Sequence, residues 1–135
     1  MATVLVIDDD EPVRAAIQLI LESEGHTVHS AENGKIGIDF CRAHRPDVVF
    51  VDMFMPVKDG FEVIRDIRKG PHQPWIVAMS GGGRYSVGLL DAAEDLGADR
   101  TLWKPFRRED LLQAAASRKS TRPQPFAHDG SEGRY

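Results

Sequence analysis

Val48-Val49-Phe50-Val51-Asp52 is an apolar run that ends on a carboxylate and opens into Met53-Phe54-Met55-Pro56-Val57-Lys58-Asp59-Gly60. Four successive apolar residues, mostly β-branched, read as a strand buried on both faces, as in the parallel sheets of α/β proteins. Asp52 stands where that strand leaves the core, and open α/β sheets place their chemistry at the carboxyl ends of their strands. A lone Asp there is also an ordinary turn former. Its meaning depends on what the rest of the chain brings beside it.

Upstream, Thr3 to Ile7 is another β-branched run, and it too ends in acids, Asp8-Asp9-Asp10-Glu11. Pro12 suits the first turn of a helix, where its missing N–H costs nothing, and acids favour a helix N-terminus. Val13, Ala16, Ile17, Ile20 and Leu21 make one apolar helical stripe, closed by Gly25. Thr27 to Ala31 reads as a short second strand, Asn33-Gly34 as a turn, and Lys35 to Ala43 as a helix burying Ile38 and Cys41. Downstream, a helix through Phe61, Val63, Ile64 and Ile67 stops at Gly70-Pro71, and Trp75 to Ser80 is a fourth buried strand. Gly81-Gly82-Gly83 precedes a helix around Val87, Leu90, Ala93 and Leu96, stopped by Gly97. A fifth strand is expected through Thr101-Leu102-Trp103 to Lys104-Pro105-Phe106, and a last helix carries Leu111, Leu112 and Ala115. Strands alternating with helices specify an α/β fold, a doubly wound, five-stranded parallel sheet.

The chain has 135 residues and one domain is expected, at 1–116, followed by a flexible polar C-terminal tail at 117–135 that has almost no aliphatic side chains. The net charge of −4 offers no basic footprint for nucleic acid, and no apolar run is long enough to span a bilayer. No basic segment precedes an apolar one at the N-terminus, so a cytoplasmic location is expected. Cys41, the single cysteine, reads as a small core hydrophobe. The five histidines lack metal-ligand spacing and read as solvent-facing bystanders.

Four strands end in polar groups: Asp8 and Asp9, Asp52, Ser80 and Lys104. In a doubly wound sheet these ends share one edge, so three carboxylates, a hydroxyl and an ammonium can converge. Carboxylates so close repel unless a cation sits among them, and an oxygen-only donor set favours a hard cation, Mg2+ fitting best. Lys104 supplies a point charge for Asp52 or for an anionic oxygen, and the small residues after Ser80 leave backbone amides accessible. This is a site for receiving or moving a phosphoryl group.

Over about residues 3–116 the sequence resembles a receiver domain of a two-component response regulator, of the single-domain chemotaxis type. The matching stretches are Val4-Leu5-Val6-Ile7-Asp8-Asp9, Asp47 through Asp52 with Met55-Pro56 and Asp59-Gly60, Ala78-Met79-Ser80, Gly97-Ala98-Asp99 and Lys104-Pro105-Phe106. The resemblance implies a flavodoxin-like (βα)5 fold with strand order 2-1-3-4-5 and a cis peptide at Lys104-Pro105. It implies Asp52 as phosphoacceptor, served by a sensor histidine kinase or histidine phosphotransfer protein. It implies Mg2+ held by Asp9, Asp52 and the Phe54 backbone carbonyl, and by Asp8 through water. Ser80, Gly81 and Lys104 would contact the phosphoryl group. Such a chain is a phosphoacceptor rather than an enzyme, and it signals by contact through the face of the fourth helix, fifth strand and fifth helix, with neither nucleic acid nor membrane as partner. No output domain is expected after Ala116.

Three departures stand out. Thr101 replaces the aromatic that often completes the switch with Ser80; the triple-glycine loop lengthens the Ser80 to Lys104 interval, predicting an unusual, mobile fourth helix; and bulky Phe54 predicts a shielded, long-lived phosphoryl group. Two rivals are a non-phosphorylated pseudo-receiver and a haloacid-dehalogenase-like phosphatase with Asp8 as nucleophile and Asp10 as general acid. Pro12 and the missing second acidic pair oppose the phosphatase.

Overall fold

A computed structural model of the chain describes residues 1–81 and 88–116. The expectations for Gly82-Gly83, for Val87 and for the segment 117–135 lie outside the described residues. In chain order the elements are β1 (Thr3–Ile7), α1 (Glu11–Ser23), β2 (Thr27–Ala31), α2 (Gly34–His44), β3 (Val48–Asp52), α3 (Gly60–Lys69), β4 (Trp75–Ser80), α4 (Leu89–Leu96), β5 (Arg100–Trp103) and α5 (Arg108–Ala116). The β-branched runs pair in parallel into one sheet of order β2-β1-β3-β4-β5, the arrangement the resemblance implied.

Local sequence explains where the helices begin. The Asp10 side chain accepts from the Val13 N–H ahead of α1, and Asn33 accepts from Ile36 N at 2.9 Å ahead of α2. Asp59 and Glu62 form a reciprocal capping box at α3. Alternation along the strands then divides the core. Leu5, Ile7, Val49 and Val51 pack beneath α2, α3 and α4, whereas Val4, Val6, Phe50 and Met79 pack with Ile17, Leu21 and Leu111 of α1 and α5. With both faces covered, all five residues of β3 are buried, which is why its sequence shows no polar alternation.

At the amino ends of the strands Arg68 acts as a latch. It donates from Nη2 to Asp99 Oδ2 at 2.8 Å, from Nε to Gly97 O at 2.9 Å and from Nη1 to Pro74 O at 3.0 Å. Asp99 Oδ2 also accepts from Ile76 N at 2.9 Å. Gly97 has φ +125, and a Cβ there would lie 2.8 Å from Arg68 Cγ, so the position demands glycine twice over.

Two expectations need correction. The fifth strand ends at Trp103 rather than continuing to Phe106. Lys104 N still donates to Ser80 O at 2.7 Å, but Pro105 has no N–H to carry the ladder further; the Lys104-Pro105 bond is cis. Two of the histidines are also more than bystanders: half-buried His26 accepts at Nδ1 from Ala2 N at 3.1 Å, and half-buried His72 bonds the Pro46 carbonyl through Nε2. His29 and His44 are exposed as expected and contact Phe40 ring to ring, and His128 lies outside the described residues. Cys41 is free and buried as expected, and burial pushes its thiol up to about 11. Among the described residues no helix is long and apolar enough to cross a membrane.

Candidate functional site

The carboxyl ends of β1, β3, β4 and β5 lie side by side, with Val51 paired to both Ile7 and Ala78, and Ser80 paired to Trp103. Asp8 and Asp52 share one strand parity, so packing directs them to the same side of the sheet edge. Carboxylate oxygens of Asp8, Asp9 and Asp52 all come within 4.8 Å of one another. Asp8 and Ser80 have no exposed surface, Asp52 is buried and Asp9 is exposed. Lys104 spans the first and third strands' acids, with Nζ 2.6 Å from Asp8 Oδ2 and 3.2 Å from Asp52 Oδ1.

The backbone beneath is held closely. Gly60 N donates to Met53 O at 3.2 Å, and a Cβ on Gly60 would lie 2.6 Å from Asp52 O and 2.7 Å from Met53 Cα. The glycine of the Asp59-Gly60 pair therefore lets α3 start directly against the backbone that carries Asp52. The same loop holds Val57 at φ 72, a left-handed conformation that costs a β-branched residue roughly 1–2 kcal/mol.

Burial first, then the neighbouring charge of Asp8, lifts the Asp52 carboxyl from 3.8 to about 6, Lys104 offsetting part of the rise. For Lys104, burial pulls the ammonium down, but hydrogen bonding to Asp8 and the charges of Asp52 and Asp8 prevail and hold it up. An acid whose folded pKa is raised binds more protons folded than unfolded, so its contribution to stability falls as pH rises between the two values. The difference in melting temperature between the wild type and Asp52→Asn should therefore grow to the wild type's disadvantage from about pH 4 to about pH 6, then level off. A divalent cation binds the ionised form and should restore more stability near pH 7.5 than near pH 4.5. Thermal melts with and without the metal check both; a pH-independent difference would contradict the repulsion.

The oxygen-only donor set and the raised Asp52 carboxyl fit a hard divalent cation. Gly81 is exposed, and a Cβ there would meet no described residue within 4 Å. Thr101 pairs with Ala78 and shares its face with Ser80 and Trp103, and the Trp103 side chain is 48% exposed. Phe54, two residues after Asp52 in the chain, is exposed. Sequence reasoning missed Arg14, whose Nη1 donates to the Asp8 carbonyl at 2.7 Å; its place six residues on, one helical face above the acids, was the available signal. Asp10, the general acid of the phosphatase alternative, is turned away as the cap of α1, and Asp8 is closed off by Lys104 and by the Asp10 N–H at 3.0 Å.

Residues 4–116 match the family model described as response regulator receiver domain. Response regulator MprA of Mycolicibacterium vanbaalenii is 40% identical over 110 residues, covering 81% of this chain and 46% of the relative. MprA of Mycobacterium bovis is 37% identical over 126 residues, covering 92% and 54%. The chain thus spans about half the length of the curated relatives it matches. Chemotaxis protein CheY4 of Vibrio cholerae superposes with a TM-score of 0.79 at 28% identity, covering 87% of this chain and 98% of that one. The receiver domain of NtrX from Brucella abortus gives 0.79 at 27% identity, covering 84% and 95%.

Proposed function

The chain belongs to the response regulator receiver domain family, and on that premise we propose that Asp52 accepts a phosphoryl group from a sensor histidine kinase or histidine phosphotransfer protein. An Asp52 oxygen attacks the phosphorus of a phosphohistidine whose other ring nitrogen carries a proton; the P–N bond breaks with its electron pair on nitrogen, and neutral imidazole leaves as the acyl phosphate forms. The reading rests on one observation: Lys104 bridges two buried carboxylates of a three-carboxylate cluster at the strand ends.

Asp8, Asp9 and Asp52, with the Phe54 carbonyl, would hold Mg2+, which when bound neutralises charge on the transferring phosphoryl oxygens. Lys104 is placed to exchange its contact with Asp52 for one with a phosphoryl oxygen while keeping Asp8. Ser80 and the Gly81 amide would receive the remaining oxygens. Movement at Ser80 reaches β5 through the Lys104 N–H bond, and half-exposed Trp103 on the face with Thr101 gives a downstream protein an aromatic anchor beside α4 and α5. We place this chemistry in the cytoplasm, in a domain at 1–116 that is a phosphoacceptor rather than a turnover enzyme.

Acetyl phosphate with Mg2+ should label Asp52, located by peptide mapping. Label on Asp8 would favour the phosphatase, and none at all a pseudo-receiver. If Phe54 shields the acyl phosphate from water, Phe54→Asn should hasten dephosphorylation roughly fivefold, the effect of about 1 kcal/mol on the barrier. An unchanged or slower rate would contradict shielding.

A further inference from the structure

At the opposite ends of the strands, roughly 13 Å along β3 from Asp52, the C-terminal parts of α2 and α3 line a cleft of about 480 Å³. That size lies within the roughly 300–1,000 Å³ of small-ligand sites. Its floor is apolar: Ile38, Cys41 and Ile67, each at most 7% exposed. One wall, Gly70-Pro71-His72, is pinned to the end of α2 by the bond between His72 Nε2 and the Pro46 carbonyl. Arg42, Arg45 and Lys69 ring the mouth, all exposed.

Cations near helix C-termini ordinarily balance the macrodipole, and that explanation must be weighed first. Two helix ends contribute about −0.5 each, about −1 together. Asp66, the carboxylate of the cleft, pairs with Lys58 at 2.7 Å, and the charges of Lys69 and Arg42 also help hold its carboxyl down. Among the described residues none of Arg42, Arg45 and Lys69 makes an ion pair. An excess of about +2 remains over an apolar floor.

We propose that this cleft binds a small organic phosphate dianion, its apolar or aromatic body on Ile38, Cys41 and Ile67 and its phosphate held by Arg42, Arg45 and Lys69. Guanidinium groups match phosphate by bidentate hydrogen bonding, and the floor selects for a body that inorganic phosphate lacks. The site is independent of phosphoryl transfer at Asp52.

The probe is 1-naphthyl phosphate, titrated into the full chain labelled with 15N, without Mg2+. Amides within 41–45 and 66–72 should shift saturably, whereas inorganic phosphate and 1-naphthylmethanol, each carrying half the recognition, should bind at least about tenfold more weakly. Arg42→Glu with Lys69→Glu should weaken binding at least about tenfold, while a dispersed spectrum and unchanged acetyl phosphate labelling of Asp52 show the rest intact. The neutral pair Arg42→Gln with Lys69→Gln gives the same comparison without introduced repulsion. Shifts confined to Asp8, Asp9 and Lys104, equal affinity for inorganic phosphate, or undiminished binding in both charge variants would overturn the proposal. So would polyglutamate moving the cleft amides where naphthyl phosphate does not, which would assign the cleft to an acidic protein partner. Loss of Asp52 labelling with cleft binding preserved would bear on the receiver chemistry alone.

Discussion

Asp52→Asn should abolish the Mg2+-dependent labelling produced by acetyl phosphate, with no label appearing at Asp8 or Asp9. The substitution keeps shape and removes the attacking oxygen's charge. Asp8 cannot take over, because it has no exposed surface and Lys104 lies 2.6 Å from its Oδ2. Asp9 is exposed, and in the cluster its carboxylate would be taken up by the metal. The expected loss is complete. The fold should not suffer: replacing an acid whose carboxyl sits near 6 through burial and the charge of Asp8 relieves repulsion, so metal-free melting near pH 7.5 should stay level or rise. Full labelling of the variant would remove Asp52 from the chemistry, and label moved to Asp8 would reinstate the phosphatase reading.

Arg68→Ala should cost about 3 kcal/mol of unfolding free energy, and Asp99→Ala a similar amount. Breaking a buried pair from one side leaves the other charge desolvated, typically at 3–5 kcal/mol. The lower end applies because the Arg68 side chain keeps 14% of its surface and Asp99 8%. The pair also organises backbone: Gly97 O, Pro74 O and the Ile76 N–H depend on it, joining α3 to the beginnings of β4 and β5. With total stability of about 5–15 kcal/mol usual for a domain, such a loss is a large fraction. Urea denaturation measures it. The double variant should lose less than the sum of the singles, because they share partners. Single losses below about 1 kcal/mol, or strict additivity, would refute the latch.

The family and its acids were legible because they are written in short-range patterns. Val48–Val51 has no polar alternation because its strand is covered on both faces, and Asp10, Asn33 and Asp59 sit where they cap helices. Where the reading ran too far, as at the end of β5, a weak apolar pattern continued past the last available donor. His26 and His72 were misread because their partners are a terminal amide and a distant carbonyl.

By itself, then, the sequence determined the element order, the parallel sheet and the candidate acids. Period and capping depend on residues within a turn or two, and local sterics suffice to express them. Only the tertiary structure decided that Lys104 serves Asp8 and Asp52 together across 96 and 52 residues. The same holds for Arg68 closing on Asp99 and for the cationic cleft lined by α2 and α3. Those contacts form when the register of β1, β3, β4 and β5 is set by burying both faces of the sheet, a collective choice that no single segment carries.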